Sequence, residues 1–400
     1  MNILIITPRI PYPPFRGDKL KIYNIAKLLS LNNSVTILTF LRNNNQKKDL
    51  VNIQKHGIKV ETVKLSLLGS ILNAIFDVFG RLPFQAAFYK SSRMKIKVRE
   101  IIKRENSDVV YYHLIRSAQY LYTNDSESKP LNVIDFTDAV SLYLKRFADV
   151  EKNPLKKYFI NVEQKRIESY EKIAEKFHSL FICSEVDKDF LKDRGINANV
   201  NILPNGIDTE YFNSDGLPFE KDRIIFTGNM PYYANYDAAV YFAKEIFPLV
   251  LKTIPGAKFY IVGQKPPKKI KQLKSHNIFV TGFVKDIKAE YLMSAVNVAP
   301  MRFGAGTLNK VLESIALGVP VVATSMAVGG LPKELNKYIF VSDDPENFAS
   351  KIIEIIQNPD LRAKLMEEGK QVIKDMLSWK KVVADFEQYL SEEISKLKSN

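Results

Sequence analysis

Twice along the 400 residues, short apolar segments alternate with stretches of helical periodicity, a repeat that restricts the chain to parallel sheets covered by helices on both faces. The first cycle opens with a strand at 2–7, a proline-rich loop at 8–18, an amphipathic helix at 19–31 and a strand at 34–40. Further strands are expected at 60–63, 108–112, 131–135, 179–183 and 199–203. A fresh cycle starts at Arg223 with a strand at 223–228, then a helix at 237–253 and strands at 258–262, 278–281, 295–301 and 319–324. Residues 204–222 between the cycles are rich in turn formers and lack periodicity. The expected class is α/β, with doubly wound domains at 1–203 and 223–378, a connection at 204–222 and a final helix at 379–400. Ligands of such open sheets bind outside the carboxyl ends of the strands, and two domains facing each other would aim both edges at one cleft.

Within the second cycle, residues 302–331 (RFGAGTLNKVLESIALGVPVVATSMAVGGL) read as a glycine loop feeding a helix. Gly304 and Gly306 let backbone approach a ligand where a Cβ would clash. Thr307 is the expected N-cap, and Gly318 followed by Pro320 ends the helix. Leu308, Val311, Leu312, Ile315 and Ala316 form its apolar face, with Lys310 and Glu313 on the other side. A helix N-terminus after such a loop offers unpaired N–H groups and partial positive charge to a diphosphate. Lys310 adds a full charge, and Glu313 has the acceptor oxygens for a ribose diol. Spacing alone equally allows a solvated i,i+3 pair.

A hydrophobic content of 46% in a chain of this length suffices for a large core. No apolar run is long enough to span a bilayer, and MNILIITPRIPYPP lacks the basic lead of a signal peptide, so an intracellular protein is expected. The single cysteine, Cys183, excludes an internal disulfide framework. His56, His113, His178 and His276 show no zinc-ligand spacing, and no metal is expected. Strand one runs into TPRIPYPPFRGD, without the G-x-G-x-x-G turn of a dinucleotide fold.

Nearly all of the +14 net charge sits in the first half, where residues 1–200 hold 33 of the 58 Lys/Arg but only 21 of the 44 Asp/Glu. Much of the excess lies in 81–104, directly after the apolar, aromatic-bearing stretch 65–80. Together they form an amphipathic surface suited to an anionic bilayer or a phosphate-bearing lipid, with Arg93, Lys95, Lys97 and Arg99 as its charges. A helical hairpin with an apolar core side and solvated lysines is the other reading. No nucleic-acid motif accompanies the charge, and no nucleic-acid partner is expected.

LPNGIDTEYF at 203–212, IIFTGNMPYYANYDAAVYF at 224–242, IVGQKPP at 261–267, VTGFVKDI at 280–287 and APMRFGAGTLNKVLESIALGVPVVAT at 299–324 together resemble a GT-B glycosyltransferase of the family 4 type, the retaining, sugar-nucleotide-dependent group. PPFRGDKLKIYNIAKLL and YYHLIRSAQYL further resemble bacterial sugar transferases of exopolysaccharide synthesis. The resemblance spans essentially the whole chain. It implies a carboxyl-terminal domain that binds the nucleotide sugar, an amino-terminal domain that binds the acceptor, and a last helix that packs back on the latter.

By this resemblance Glu313 is the second glutamate of a Glu-x7-Glu motif and holds the ribose hydroxyls, while the first glutamate is replaced by Ala305. Gly228 is kept, but Asn229 stands where many members carry a diphosphate-binding arginine. Lys310 is the first choice for the missing charge, ahead of Arg302 and Lys265, and backbone N–H groups of Gly304 to Thr307 take more of the sugar recognition. Gly17 matches a loop glycine that approaches the donor phosphate, although a plain turn glycine would read the same. His113 ends a strand where related enzymes contact the donor sugar. Asp135 and Asp138 fall at the next strand end, to orient the acceptor or act as a base, while Asp138 could equally N-cap a helix. Arg16 and Lys19 join the acceptor or membrane side.

The implied reaction moves a sugar from a nucleotide donor, UDP favoured over GDP or ADP, to a hydroxyl of a saccharide or lipid-linked acceptor, with no cofactor. Retention need not use an enzymic nucleophile, since the departing diphosphate can help deprotonate the incoming hydroxyl. The setting is cell-surface polysaccharide synthesis at the cytoplasmic face of the membrane. The alternatives are a sugar-nucleotide epimerase or phosphorylase of the same fold, or an inactive nucleotide-binding homologue, which Ala305 and Asn229 keep open.

Overall fold

Ile3 and Ile5 of the first strand point to one side, Leu4 and Ile6 to the other, and all four are buried. A strand covered on both faces needs helices above and below, and the chain supplies them. The computed structural model describes residues 1–77, 80, 82–123, 129–213, 219–304 and 307–399, with 359 and 361–367 as backbone only; Arg81, Ala305, Gly306 and part of the 204–222 connection lie outside the described residues. Two compact units emerge, one of Met1–Pro204 with Trp379–Asn400 and one of Asn205–Ser378.

The first unit holds β1 (Asn2–Thr7), β2 (Ser34–Leu41), β3 (Lys59–Lys64), β4 (Val109–His113), β5 (Leu131–Thr137), β6 (Ser179–Ile182) and β7 (Val200–Ile202). They form one parallel sheet in the order β3-β2-β1-β4-β5-β6-β7. On one face the Gly17–Leu29 helix brings Ile22, Ile25 and Leu29 against Ile3, Ile5 and Ile37. The last helix, Trp379–Ser399, lies on that same face, its Phe386 ring meeting Tyr111 and Phe181 edge-on at 5.6 and 5.0 Å. On the other face Met94, Val98 and Ile102 of the Ser92–Glu105 helix pack with Leu4, Ile6 and Tyr112.

The second unit holds β8 (Glu220–Thr227), β9 (Lys258–Val262), β10 (Ile278–Gly282), β11 (Ser294–Ala299), β12 (Val321–Ala323) and β13 (Ile339–Val341). Its parallel sheet runs β10-β9-β8-β11-β12-β13. In both sheets the strand order reverses at the first strand of the unit, between β1 and β4 and between β8 and β11. Ligands of doubly wound sheets bind beside such a reversal.

Several local expectations shift. β8 starts at Glu220, earlier than Arg223, and β13 has no counterpart among the expected strands. The single helix expected at 237–253 is a helix at Tyr233–Tyr241, a π turn at Phe242–Ile246 and a helix at Phe247–Thr253, which Pro248 enters in its first turn. Thr307 does not cap the next helix, which is Asn309–Ala316 with Leu308 before it; the Thr307 hydroxyl donates to the Gly330 carbonyl instead, at 3.0 Å.

Candidate functional site

Beside the reversal in the first sheet, β1 ends on Thr7 and β4 on His113, and the Thr7 Oγ1 lies 3.0 Å from His113 Nδ1. The Thr7 hydroxyl donates its one hydrogen to the Arg9 carbonyl at 3.2 Å. Nδ1 must therefore carry the proton and donate to Thr7, which leaves Nε2 as an acceptor. Nε2 is buried and has no hydrogen-bond partner among the described residues. Burial pulls the His113 pKa down to about 4, against the opposing charge of Asp135, so the ring is neutral near pH 7.

The residue after His113, Leu114, has φ 68°, and Thr137 at the end of β5 has φ 66°. Both are left-handed conformations costly for side chains of this kind, and both lie at the carboxyl edge beside the reversal. Asp135, paired in register with His113, is no free base. Its carboxylate takes Lys21 Nζ at 2.9 Å, Tyr111 Oη at 2.5 Å and the Thr137 N–H at 2.6 Å, with Lys21 and Asp135 both fully buried. Lys21 spends a second hydrogen on the Leu203 carbonyl at 2.9 Å. This makes Asp135 a structural carboxylate.

Asp138 is not an N-cap either. The Val140–Val150 helix begins without a side-chain cap, and its exposed N–H groups go to other carboxylates, Ala139 to Asp187 at 3.1 Å and Ser141 to Glu171 at 3.1 Å. The half-buried Asp138 accepts the Cys183 thiol at 3.2 Å. Burial, helped by Asp187, raises its pKa to about 7.

Gly17 is the first residue of its helix rather than a turn glycine, and a Cβ there would meet nothing within 4 Å. The same holds for Gly304. The packing of the described residues requires neither glycine. Arg16 pairs with Asp18 at 3.2 Å, and Lys19 donates to the Tyr12 carbonyl at 3.2 Å.

In the second unit the core of the site is Tyr291, a buried phenol that the sequence reading did not single out. Its oxygen lies 2.6 Å from Thr227 Oγ1, at the end of β8, and 3.0 Å from Glu313 Oε2. With one hydrogen to give, Tyr291 donates to the carboxylate and receives from Thr227. Glu313 is thereby fixed in direction, with Oε1 unpartnered among the described residues. Burial raises its pKa, against the pull of Lys310.

Lys310 and Glu313 are not the solvated pair that spacing allowed. Lys310 is buried, its Nζ 2.8 Å from Asn235 Oδ1 and 3.9 Å from the centre of the Phe226 ring. Asn235 in turn donates to the Asn229 carbonyl at 3.2 Å, so the lysine steadies the loop after β8 from beneath. Burial lowers the Lys310 pKa to about 7, partly opposed by Glu313. Two glycines at that loop, Gly228 and Gly263, leave no room for a side chain. A Cβ on Gly228 would lie 2.8 Å from the Asn235 amide, and one on Gly263 would lie 1.7 Å from the Gly228 carbonyl oxygen.

Arg302 grips Asp237 through both nitrogens at 2.5 and 2.8 Å and covers the Tyr241 ring, so its charge is already answered. Lys265 is exposed just past β9 with φ 52°. Asn297 interrupts the apolar β11 and donates to the Lys310 carbonyl at 3.1 Å, while its Oδ1 is buried without a partner among the described residues. A polar residue inside an apolar run was the available signal for Asn297.

On the first unit, the Leu67–Phe76 helix departs from the hairpin reading. Leu67, Leu68, Ile71, Leu72, Ile75 and Phe76 are all exposed, Leu68 and Phe76 by 77% and 78%. The neighbouring Ser92–Glu105 helix follows the ordinary pattern, with its apolar side in the core and Arg93, Lys95 and Arg99 exposed. Lys97 is held by Glu61 at 2.9 Å and Glu100 at 3.2 Å. No helix among the described residues is long and apolar enough to cross a membrane.

Residues 221–358 match the family model for glycosyl transferases group 1. A Klebsiella pneumoniae protein described as an uncharacterized 44.6 kDa protein in the cps region is 24% identical over 380 residues, covering 89% of this chain and 91% of its own. Among solved structures, sucrose-phosphate synthase from Thermosynechococcus elongatus superposes with a TM-score of 0.72 at 12% identity, covering 99% of this chain and 100% of its own. Anabaena Alr3699/HepE, in complex with UDP and glucose, gives 0.70 at 13% identity, with 98% and 99% covered. TarM gives 0.70 at 13% identity, with 97% and 98% covered. The fold is GT-B, and residues 221–358 of the second unit resemble the group 1 glycosyl transferases.

Proposed function

We propose that the protein is a glycosyltransferase that moves a sugar from a UDP-sugar to a hydroxyl of a saccharide or lipid-linked acceptor, with retention, in the synthesis of a cell-surface polysaccharide. The observation that carries the reading is Glu313, aimed by Tyr291 and presented from the Asn309–Ala316 helix. Its unpartnered oxygen is the acceptor for the ribose hydroxyls. Lys310 charges the β8 edge from below, and the backbone around Gly228 and Gly304 takes the diphosphate. Anabaena Alr3699/HepE, solved with UDP and with UDP-glucose, supports the choice of nucleotide. The cps-region relative supports the setting.

In the first unit, His113 Nε2 is an open acceptor for a hydroxyl of a bound saccharide, its tautomer held by Thr7. Asp138, with a pKa near 7, is the side chain best matched to receive a proton at neutral pH. Retention is consistent with the leaving diphosphate assisting that deprotonation.

Calorimetry with UDP tests the donor half. Lys310, half neutral near pH 7 in the free protein, must regain its proton beside an anionic diphosphate. Binding is therefore expected to take up a proton at pH 8, seen as a dependence of the heat on buffer ionisation enthalpy. Affinity is expected to fall as pH rises from 6 to 9. Binding without proton uptake would remove Lys310 from the role, and no binding of UDP, GDP or ADP would sink the donor reading.

The exposed apolar helix at Leu67–Phe76, with Arg93, Lys95 and Arg99 on the helix at Ser92–Glu105, supports docking on an anionic bilayer. Lys97 contributes little, because two carboxylates hold it. Leu68→Glu with Phe76→Glu is expected to lower partition into anionic vesicles by about tenfold or more, from about 1.5–3 kcal/mol per buried side chain. Equal flotation of the variant and the parent would remove the membrane from the proposal.

A further inference from the structure

Four guanidinium groups gather at the carboxyl edge of three adjacent strands of the first sheet, with Asp18 the single carboxylate paired with them among the described residues. Arg9 lies two residues past β1, Arg42 directly follows β2, and Arg116 lies three residues past β4, while Arg16 precedes the Gly17–Leu29 helix. Arg9, Arg42 and Arg116 surround Tyr89, whose hydroxyl oxygen accepts Arg9 Nε at 3.2 Å and Arg42 Nη2 at 2.6 Å. The Arg116 guanidinium sits 5.8 Å from the centre of the Tyr89 ring. Asp18 takes Arg9 at 3.1 Å and Arg16 at 3.2 Å. Neither Arg42 nor Arg116 has a carboxylate within ion-pair distance among the described residues, and the buried Arg116 Nε has no hydrogen-bond partner among them.

Like charges held this closely repel, and a buried guanidinium N–H without an acceptor costs free energy. Burial, reinforced by Arg9, pulls the Arg116 pKa down to about 10, a measure of how poorly its charge is compensated. What would relieve the cluster is an anion with acceptors in several directions. A tetrahedral phosphate meets three guanidinium forks at once, whereas a carboxylate offers only one plane. The edge of β2-β1-β4 is also where a doubly wound sheet receives its ligand.

We propose that Arg9, Arg42 and Arg116, steadied by Tyr89, bind a phosphate group of the acceptor. The acceptor is then a phosphorylated saccharide, its phosphate either free at the sugar or linking it to a lipid. The acceptor role rests on the transferase reading above; the anion site itself does not.

The test is titration with inorganic pyrophosphate in the presence of saturating UDP, which occupies the donor site. Wild-type protein is expected to bind pyrophosphate with an affinity that falls steeply with salt. Arg42→Met with Arg116→Met is expected to weaken it at least tenfold while leaving UDP binding unchanged. Arg42→Met alone, at the more accessible position, is expected to weaken it at least threefold and guards against a folding defect in the double variant. Galactose 1-phosphate and vesicles containing phosphatidic acid then compete for bound pyrophosphate, the first reading a free sugar phosphate and the second a lipid phosphate. Competition by either supports the proposal. Unchanged pyrophosphate affinity in both variants, or competition by neither probe, overturns it. If UDP fails to bind, the donor reading falls, and the pyrophosphate titration of parent against variants still reads the arginines.

Discussion

Asp135→Ala is expected to destabilise the first unit by about 3–5 kcal/mol, the usual consequence of leaving one member of a buried ion pair without its partner. Lys21 would remain fully buried with only the Leu203 carbonyl, and the Tyr111 hydroxyl would lose its acceptor. For a unit of this size the melting temperature should drop by roughly 6–20 °C. The double variant Lys21→Met, Asp135→Ala removes the stranded charge and should recover part of the loss, because a buried pair contributes less than breaking it costs. Calorimetric melting of the three proteins checks both statements. A melting temperature for Asp135→Ala within 2 °C of the parent would show that the pair carries no such weight. Because Asp135 already serves Lys21, Tyr111 and Thr137, a loss of turnover in this variant follows from the loss of folded protein and not from loss of a base.

Glu313→Ala is expected to weaken UDP binding by about 30- to 150-fold, the effect of losing hydrogen bonds to a charged acceptor at about 2–3 kcal/mol. The fold should survive it. Tyr291 keeps the Thr227 hydroxyl as a neighbour, and removing a half-buried carboxylate whose pKa is raised by burial relieves a desolvation cost. Glu313→Gln keeps the shape and should retain a larger share of affinity. Titration with UDP at pH 7 reads the result directly; affinity of Glu313→Ala within threefold of the parent would take the ribose away from this residue.

These two carboxylates mark how far the sequence could be read. The alternation of strands and helices was plain, since apolar runs bounded by turn residues announce buried parallel strands, and Glu313 stood out by its place after a glycine loop. The break at Phe242–Ile246 escaped because a π turn leaves the apolar spacing nearly unchanged. Asp135 and Asp138 looked alike at the end of one strand. Only the folded chain separates them, by bringing Lys21 from a helix 114 positions away in sequence to the first and Cys183 from β6's end to the second.

The amino-acid sequence by itself determined the two doubly wound sheets, their helical cover and the location of the glycine loop, because these depend on periods and turn chemistry that act over a few neighbouring residues. Which polar groups are satisfied and which are left open was decided by tertiary structure alone. Tyr291 aims Glu313, Thr7 sets the proton on His113, Asp237 claims Arg302, and Arg42 and Arg116 are left around Tyr89 without a counter-charge among the described residues. The partners in those pairs lie far apart along the chain, and hydrogen bonds and charge act through distance in space, which only the completed fold assigns.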